Sequence, residues 1–422
     1  KRGCMSQNQK MVALVGNFGF APGPKGLCIY SYDPATAAME LIESAFEAVN
    51  VGHMSVDDEG GIVYLVNECP SQLGQTGGGG YLLALKIDPQ TGKLTLINEK
   101  PTLGQEPCYT CLDKSKRYII VSHHADFGFV TKVVKGEHGY STQVVFDDTA
   151  LALFPICEDG SLGDACDVSI TPGDGAPGPH PWARHHSVVA DPSGELFIVC
   201  DKGLEQFHTY HLDRTNGKLV RLQDIIVEPD LIPRYGAFHP ALPIFYANYE
   251  RAAVIHAYCY DVASGRLERV GSAPLLLPDN PAELANAEAK LPLTHPKTLA
   301  ERMHMLQEKA PVGHDKVEPA DILIHPNGRY LYASVRGANT ISVLDVDIAG
   351  SISLREVIDC GGVNPRGLTI SPDGRFLFAA NMNSGNVATF SISADGGLRA
   401  TGAGVKASSP GSMRIVVARS RG

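Results

Sequence analysis

The sequence predicts an all-β fold, a seven-bladed β-propeller built from four-stranded antiparallel blades. Three observations carry this. One hairpin phrase recurs six times, a second strand phrase recurs seven times, and the chain ends supply the half-unit that the first count lacks.

The hairpin phrase reads turn, apolar strand, polar turn, apolar strand. Its copies are VGHMSVDDEGGIVYLVN (51–67), EPCYTCLDKSKRYIIVS (106–122), HHSVVADPSGELFIVCD (185–201), PRYGAFHPALPIFYANY (233–249), ADILIHPNGRYLYASVR (320–336) and PRGLTISPDGRFLFAAN (365–381). The turns hold Gly, Pro, Asp or Asn, as an antiparallel hairpin requires. The second phrase is an alternating strand, a turn and Gly-x-Leu. It occurs at 81–94, 152–162, 207–219, 255–267, 341–352 and 387–398, with a degenerate copy, GLCIYSYDPATAAMEL, at 26–41. Joining both phrases gives four strands per unit. The missing hairpin comes from the ends: GSMRIVVA (411–418) is an inner strand and MVALVGN (11–17) its neighbour. Pairing the termini closes the ring and removes a free sheet edge.

The Gly-x-Leu marks fall 46–57 residues apart where undisturbed, a blade's length. Two insertions stretch the spacing, at 123–150 and 275–318. The second contains the helix-like PAELANAEAK and KTLAERMHMLQEK, and brings His295, His304 and His314, which read as polar surface. Long structured insertions often act as lids. The whole chain, 1–422, reads as one propeller domain.

Composition narrows the function. Hydrophobic residues make up 44% and charged residues 19%, so a large core is available. The net charge of −10 and the lack of a Lys/Arg run argue against a nucleic-acid partner. No apolar stretch reaches the length of a membrane span, which argues against a membrane partner. Ten scattered cysteines, mostly in apolar phrases such as LCIY, FIVC and AYCY, read as buried free thiols of a reducing compartment, hence a cytoplasmic protein. Secretion stays open, because the first residue is not Met and an upstream segment can be missing. Cys108 and Cys111 form one CxxC. On a strand, positions i and i+3 face opposite ways, so the pair reads as structural. No calcium cage is visible; Glu68 is the nearest candidate and stands alone. The sequence therefore predicts no metal and no cofactor.

Chemistry in a propeller belongs at the channel mouth, where strands end. His186 opens one inner strand and Arg234 the next; Arg366 repeats the Arg234 position. Glu250 and Arg336 end second strands. Guanidinium forks suit a carboxylate or phosphate, and an imidazole with a carboxylate adds proton transfer. A small anionic substrate is the expected partner, with the chain a monomer or weak homo-oligomer.

HPNGRYLYASVRG, SPDGRFLFAANMNSGNVATF, DGSLGDA followed by a glycine-rich stretch and HHSVVADP, and PR-x3-FHP together resemble the lactonase family of seven-bladed propellers. That family includes the propeller type of 6-phosphogluconolactonase and the 3-carboxy-cis,cis-muconate cyclase. The resemblance spans the chain outside the insertions and is most specific over 320–392. It implies a catalytic set of His186, Arg234, Glu250 and Arg336. Around it, Arg184, His185, Tyr235, Arg366, Asn381, Asn383, Tyr109 and His123 are expected to bind substrate.

The surroundings depart from the phosphogluconolactonase pattern. Arg184-His185-His186 replaces His-Ala-His. Tyr235 follows the Pro-Arg pair where His is usual, as in the cyclase. Val335 and Tyr249 replace the Asn before Arg336 and Glu250. Tyr109 replaces a His, and His123-His124 an Asn-Tyr pair. The resemblance implies a metal-independent lactone hydrolase acting on an anionic sugar lactone. A lactonising cycloisomerase and a non-catalytic binding scaffold are the alternatives.

Overall fold

The structure, a computed structural model, describes residues 10–19, 23, 25–71, 77–125, 129–172, 182–229, 231–277 and 317–418. Among these, every regular element is a strand. Seven four-stranded antiparallel sheets form the blades, and an eighth, two-stranded sheet is an inserted hairpin. The predicted helical stretches and His295, His304 and His314 lie outside the described residues.

The innermost strands stand side by side around one axis: Pro410–Val417, Val51–Asp57, Pro107–Leu112, His185–Ala190, Pro233–Phe238, Glu318–Ile324 and Pro365–Ile370, for blades 1 to 7. Blade 1 is closed as the sequence predicts. Met11–Asn17 pairs antiparallel with Pro410–Val417, Val12 opposite Val416 and Leu14 opposite Arg414.

The apolar alternation is the blade-stacking code. In Tyr330–Arg336, Tyr330 and Tyr332 pack toward blade 7 with Leu377 and Ala379. Leu331, Ala333 and Val335 pack toward blade 5 with Ile255 and Ala257. Both faces of each middle strand are covered by a neighbouring blade, so both parities of the sequence are apolar.

The repeated phrases also encode hooks between blades. His239 Nε2 lies 3.0 Å from the Gly328 carbonyl in blade 6, and His325 Nε2 lies 2.9 Å from the Gly374 carbonyl in blade 7. That explains the His-Pro in FHP and IHP. The Tyr64, Tyr246 and Tyr332 hydroxyls donate to Gly160, Gly350 and Gly396, each in the Gly-x-Leu turn of the following blade. Gly396 has φ +84°, a left-handed conformation that suits glycine.

The 123–150 insertion is a β-hairpin, Phe129–Gly136 with Gly139–Phe146, largely solvent-exposed. It anchors where Phe146 stacks on Trp182 at 4.9 Å. The 275–318 insertion leaves and re-enters at the core between blades 5 and 6, where Leu275, Leu276 and Val317 are buried.

Nine described cysteines are free. Cys28, Cys108, Cys200 and Cys360 are buried, but Cys157 and Cys259 are exposed, which corrects the expectation for AYCY. Cys259 sits at an outward position of its strand, where alternation turns the thiol to solvent.

Tyr332→Phe keeps the ring and removes the hook to Gly396. It is expected to cost about 1 kcal/mol in denaturant unfolding. Gly396→Ala is expected to cost more, because a Cβ there would strike the Tyr330 ring at a positive φ.

Candidate active site at the channel mouth

Strand register fixes which residues meet at the axis. In each blade an inner-strand residue pairs with the last residues of the second strand: Val51 with Asn67, Pro107 with His123, His185 with Asp201, Pro233 with Tyr249, Pro319 with Val335, Pro365 with Asn381 and Pro410 with Asn17. One residue further on each strand defines two rings of equivalent slots. The inner-strand ring is Gly411, Gly52, Cys108, His186, Arg234, Ala320 and Arg366. The second-strand ring is Phe18, Glu68, His124, Lys202, Glu250, Arg336 and Met382. In blades 1, 2, 3 and 6 a small inner-strand residue leaves room for a larger one on the second strand. A Cβ on Gly52 would strike the Glu68 carboxylate, and one on Gly411 the Phe18 ring.

Glu250 is the hub. Its carboxylate lies 2.5 Å from Lys202 Nζ, 3.3 Å from Arg234 Nε and 3.5 Å from Arg336 Nη2. Arg336 also reaches Glu318 at 3.3 Å. Arg366 pairs with Glu68 at 3.4 Å and lies over the Phe18 ring. Arg234 is almost fully buried; its Nη1 donates to the Ala320 carbonyl and its guanidinium lies 4.6 Å above Tyr235.

Four cations therefore face three carboxylates in a desolvated space. Burial alone pushes Glu250 up, but Lys202, Arg336 and Arg234 outweigh it and hold its carboxyl well below the usual range. Burial pushes Lys202 down to about 8; Glu250 opposes this, and Arg234 and Arg336 add to it. Glu68 is raised by burial, which Arg366, Arg234 and Lys202 only partly offset. His186 is held well below 6.5, first by burial and then by Arg234 and Lys202, so its ring is neutral at pH 7. Its Nδ1 is buried with no hydrogen-bond partner among the described residues.

The structure brings His186, Arg234, Glu250, Arg336 and Arg366 together. Tyr235 lies beneath them, 5.1 Å from His186 ring to ring, and Tyr109 meets Tyr235 edge-on at 5.3 Å. Arg184 lies over Trp182, beside the inserted hairpin's anchor. The rest stand elsewhere. His185 is one residue out of phase and points behind the inner strand, 3.7 Å from buried Asp201. His123 is buried, its Nδ1 2.8 Å from the Ala150 carbonyl. Asn381 Nδ2 donates to the Cys360 carbonyl, and Asn383 Oδ1 accepts from Asn364. These contacts hold loops and strands in place.

The sequence reading does not reach Lys202 or Glu318, and it takes Glu68 only as a weak calcium candidate. Lys202 follows Asp201 as Glu250 follows Tyr249 and Arg336 follows Val335. Aligning the ends of the second strands is the signal that finds it. For a metal, His185, Asp201 and His208 place ligand atoms within 4.8 Å of one another. Both His208 nitrogens are already engaged, by Asp201 at 3.0 Å and by Asp224 at 2.9 Å. Burial lowers His208, but these two carboxylates outweigh it and raise it above its ordinary value, and they already occupy the ring nitrogens that a metal would need.

The family model described as "Lactonase, 7-bladed beta-propeller" matches residues 13–415. The chain belongs to the lactonase family of seven-bladed β-propellers. It is 21% identical over 354 residues to a 6-phosphogluconolactonase of Bacillus subtilis, covering 84% of this chain and 83% of that protein. It is 25% identical over 335 residues to a 6-phosphogluconolactonase of Formosa agariphila, covering 78% and 77%. A periplasmic gluconolactonase of Pseudomonas aeruginosa shares the fold at a TM-score of 0.75 and 21% identity, covering 97% of this chain and all of that one.

Glu250→Gln leaves three buried cations without their common partner. A loss of about 3–5 kcal/mol in unfolding free energy at pH 7 is expected. Added sulfate should restore part of it by entering the cation cage.

Proposed function

We propose that this chain hydrolyses the ester ring of an anionic sugar lactone, in the manner of 6-phosphogluconolactonase. The observation that carries the reading is a buried cation cluster, in excess over its carboxylates, beside a neutral imidazole. The relatives from Bacillus subtilis and Formosa agariphila bear that activity name.

Glu250 is a poor base here, because its oxygens face three cations and its proton affinity is low. Its role is to hold Lys202, Arg234 and Arg336 in place. His186 is the base: it takes a proton from water as the water oxygen bonds to the lactone carbonyl carbon. The guanidinium of Arg336 or Arg234 receives the resulting oxyanion, in the position a Lewis acid would otherwise fill. Collapse breaks the ring C–O bond, and the imidazolium returns its proton to the leaving alkoxide. The product is an open-chain carboxylate. Lys202 and Arg366 hold the substrate's own anionic group.

A lactonising cycloisomerase is the second reading, favoured by Tyr235, whose ring packs against both Arg234 and His186. There the same cations hold two carboxylates, and His186 hands a proton to carbon. We further place the chain in the cytoplasm as a monomer or weak homo-oligomer without a metal. The free thiols support a reducing compartment.

The test is the opening of 6-phosphoglucono-δ-lactone by purified protein, beside loss of absorbance from 3-carboxy-cis,cis-muconate. Lactone opening that EDTA spares is expected, with His186→Ala lowering kcat by about 10²–10⁴-fold. Turnover of the muconate alone would move the chain to the cyclases.

The pH profile is a separate check. His186 titrates below its ordinary value, so kcat/KM should hold through neutral pH and fall on the acid side only well under 6.5. Lys202 loses its charge near pH 8, which sets the alkaline limb. Lys202→Arg should remove that limb, since a guanidinium stays charged throughout.

A further inference from the structure

The channel continues past the mouth. Beyond Tyr235 and Tyr109, the inner strands line a cavity of about 400 Å³, with His53, Asp321, Ala237 and Arg414 among its walls. That volume lies within the usual range for a small-molecule site. The two tyrosines form its roof. Tyr109 stacks on His53 with ring centroids 3.7 Å apart, and Tyr235 carries Arg234 and His186 on its other side.

Arg414 distinguishes this cavity. Arg234, Arg336 and Arg366, at the mouth, each face a carboxylate. Arg414 has none within ion-pair distance among the described residues. It donates from Nη1 to the Met413 carbonyl at 2.7 Å, and its Nη2 lies 2.6 Å from His53 Nε2. The one acid lining the cavity, Asp321, already accepts backbone N–H groups from Ile322 at 2.8 Å and Leu368 at 2.7 Å. A partly buried guanidinium beside a neutral imidazole and open space has only Asp321 as a more distant opposite charge, and makes no direct ion pair with it. Burying such a charge is costly unless something pairs with it. The closing strand could carry an apolar residue there, as Val12 and Val416 show elsewhere in the same blade.

We infer that this lower cavity is a second binding site, distinct from the catalytic mouth, for a small oxyanion: a phosphate or carboxylate group carried on a body no larger than a sugar acid. Arg414 holds the anion, His53 orients the guanidinium, and the face of Tyr109 or Tyr235 packs against the ligand's body. The inference does not rest on the lactonase reading, because its test reads binding alone.

The full chain is titrated calorimetrically with inorganic phosphate and, separately, with gluconate. Two binding events are expected for at least one anion. Arg414→Gln should remove one of them, weakening it more than tenfold. Ala237→Phe, which fills the cavity without touching Arg414, should remove the same one. Arg336→Gln should remove the other and leave the Arg414-dependent event intact, and the mouth event retained in Arg414→Gln and Ala237→Phe shows that those variants fold. Phosphate without gluconate at the lower site identifies a phosphate ligand, and the reverse a carboxylate; either supports the assignment. A single event, lost in Arg336→Gln and unchanged in Arg414→Gln and Ala237→Phe, overturns it.

Discussion

The antiparallel pairing of Met11–Asn17 with Pro410–Val417 is the constraint on which the rest depends. Each blade buries both faces against its neighbours, so no blade has a complete core until the ring closes. The two chain ends make that closure with one register. Val12 and Leu14 join the core toward blade 2, while Ala13 and Val15 face blade 7. A slip of one residue would exchange these two sets. The same closure brings Gly411 and Arg414 of the last strand to the axis. The end of the chain thus contributes a gap to the mouth and a cation to the cavity below.

Closure also converts sequence position into radial position. Seven hairpins with one register place seven equivalent residues around one axis. Within that ring the chain writes Lys202, Glu250 and Arg336 in consecutive blades. Their order puts a carboxylate between two cations, and Arg234 from the neighbouring ring completes the cage. The arrangement is self-supporting: Glu250 stays ionised because the cations surround it, and Lys202 keeps most of its charge at pH 7 because Glu250 offsets its burial. Three buried cations around one acid leave positive charge over. A site built this way is complementary to an anion before any substrate arrives, the preorganisation that transition-state stabilisation requires.

The fold was legible because propeller packing repeats. A strand covered on both faces must be apolar at both parities, and its turns must reverse tightly, so the phrase returns in every blade. The hooks from His239 and His325 explain why even the His-Pro pairs recur. The site was legible only where a charged residue broke the phrase. Arg336 stands out against Met382 in the next copy, and Glu250 against the aromatic strand before it. Lys202 was hidden because Asp201-Lys202-Gly203 looks like an ordinary polar turn. Only register shows that Asp201 points back to cap the Arg184, Gly203 and Leu204 amides while Lys202 points in. The same ambiguity of phase attaches to His185, His123 and Asn381. Each lies one residue from a channel slot, and strand alternation turns it away. The 275–318 insertion falls where the blade template is silent.

The aromatic layer makes the two halves of the channel one system. Tyr235 follows Arg234 directly, so the residue that packs beneath the upper guanidinium also roofs the lower cavity. Tyr109 occupies the matching position two blades earlier and meets it edge-on. Both replace the imidazoles of the phosphogluconolactonase pattern. Two histidines there would bring more titratable, hydrated groups to the axis. Two tyrosines instead put a wide hydrophobic partition across it, with hydroxyls that burial keeps protonated, Tyr235 being pushed up to about 12. The partition shields the upper cations from the water below and so strengthens their hold on Glu250 and on any anion they bind. It also leaves Arg414 on the far side, with Asp321 in the same cavity but without the direct carboxylate contact that Arg234, Arg336 and Arg366 each have.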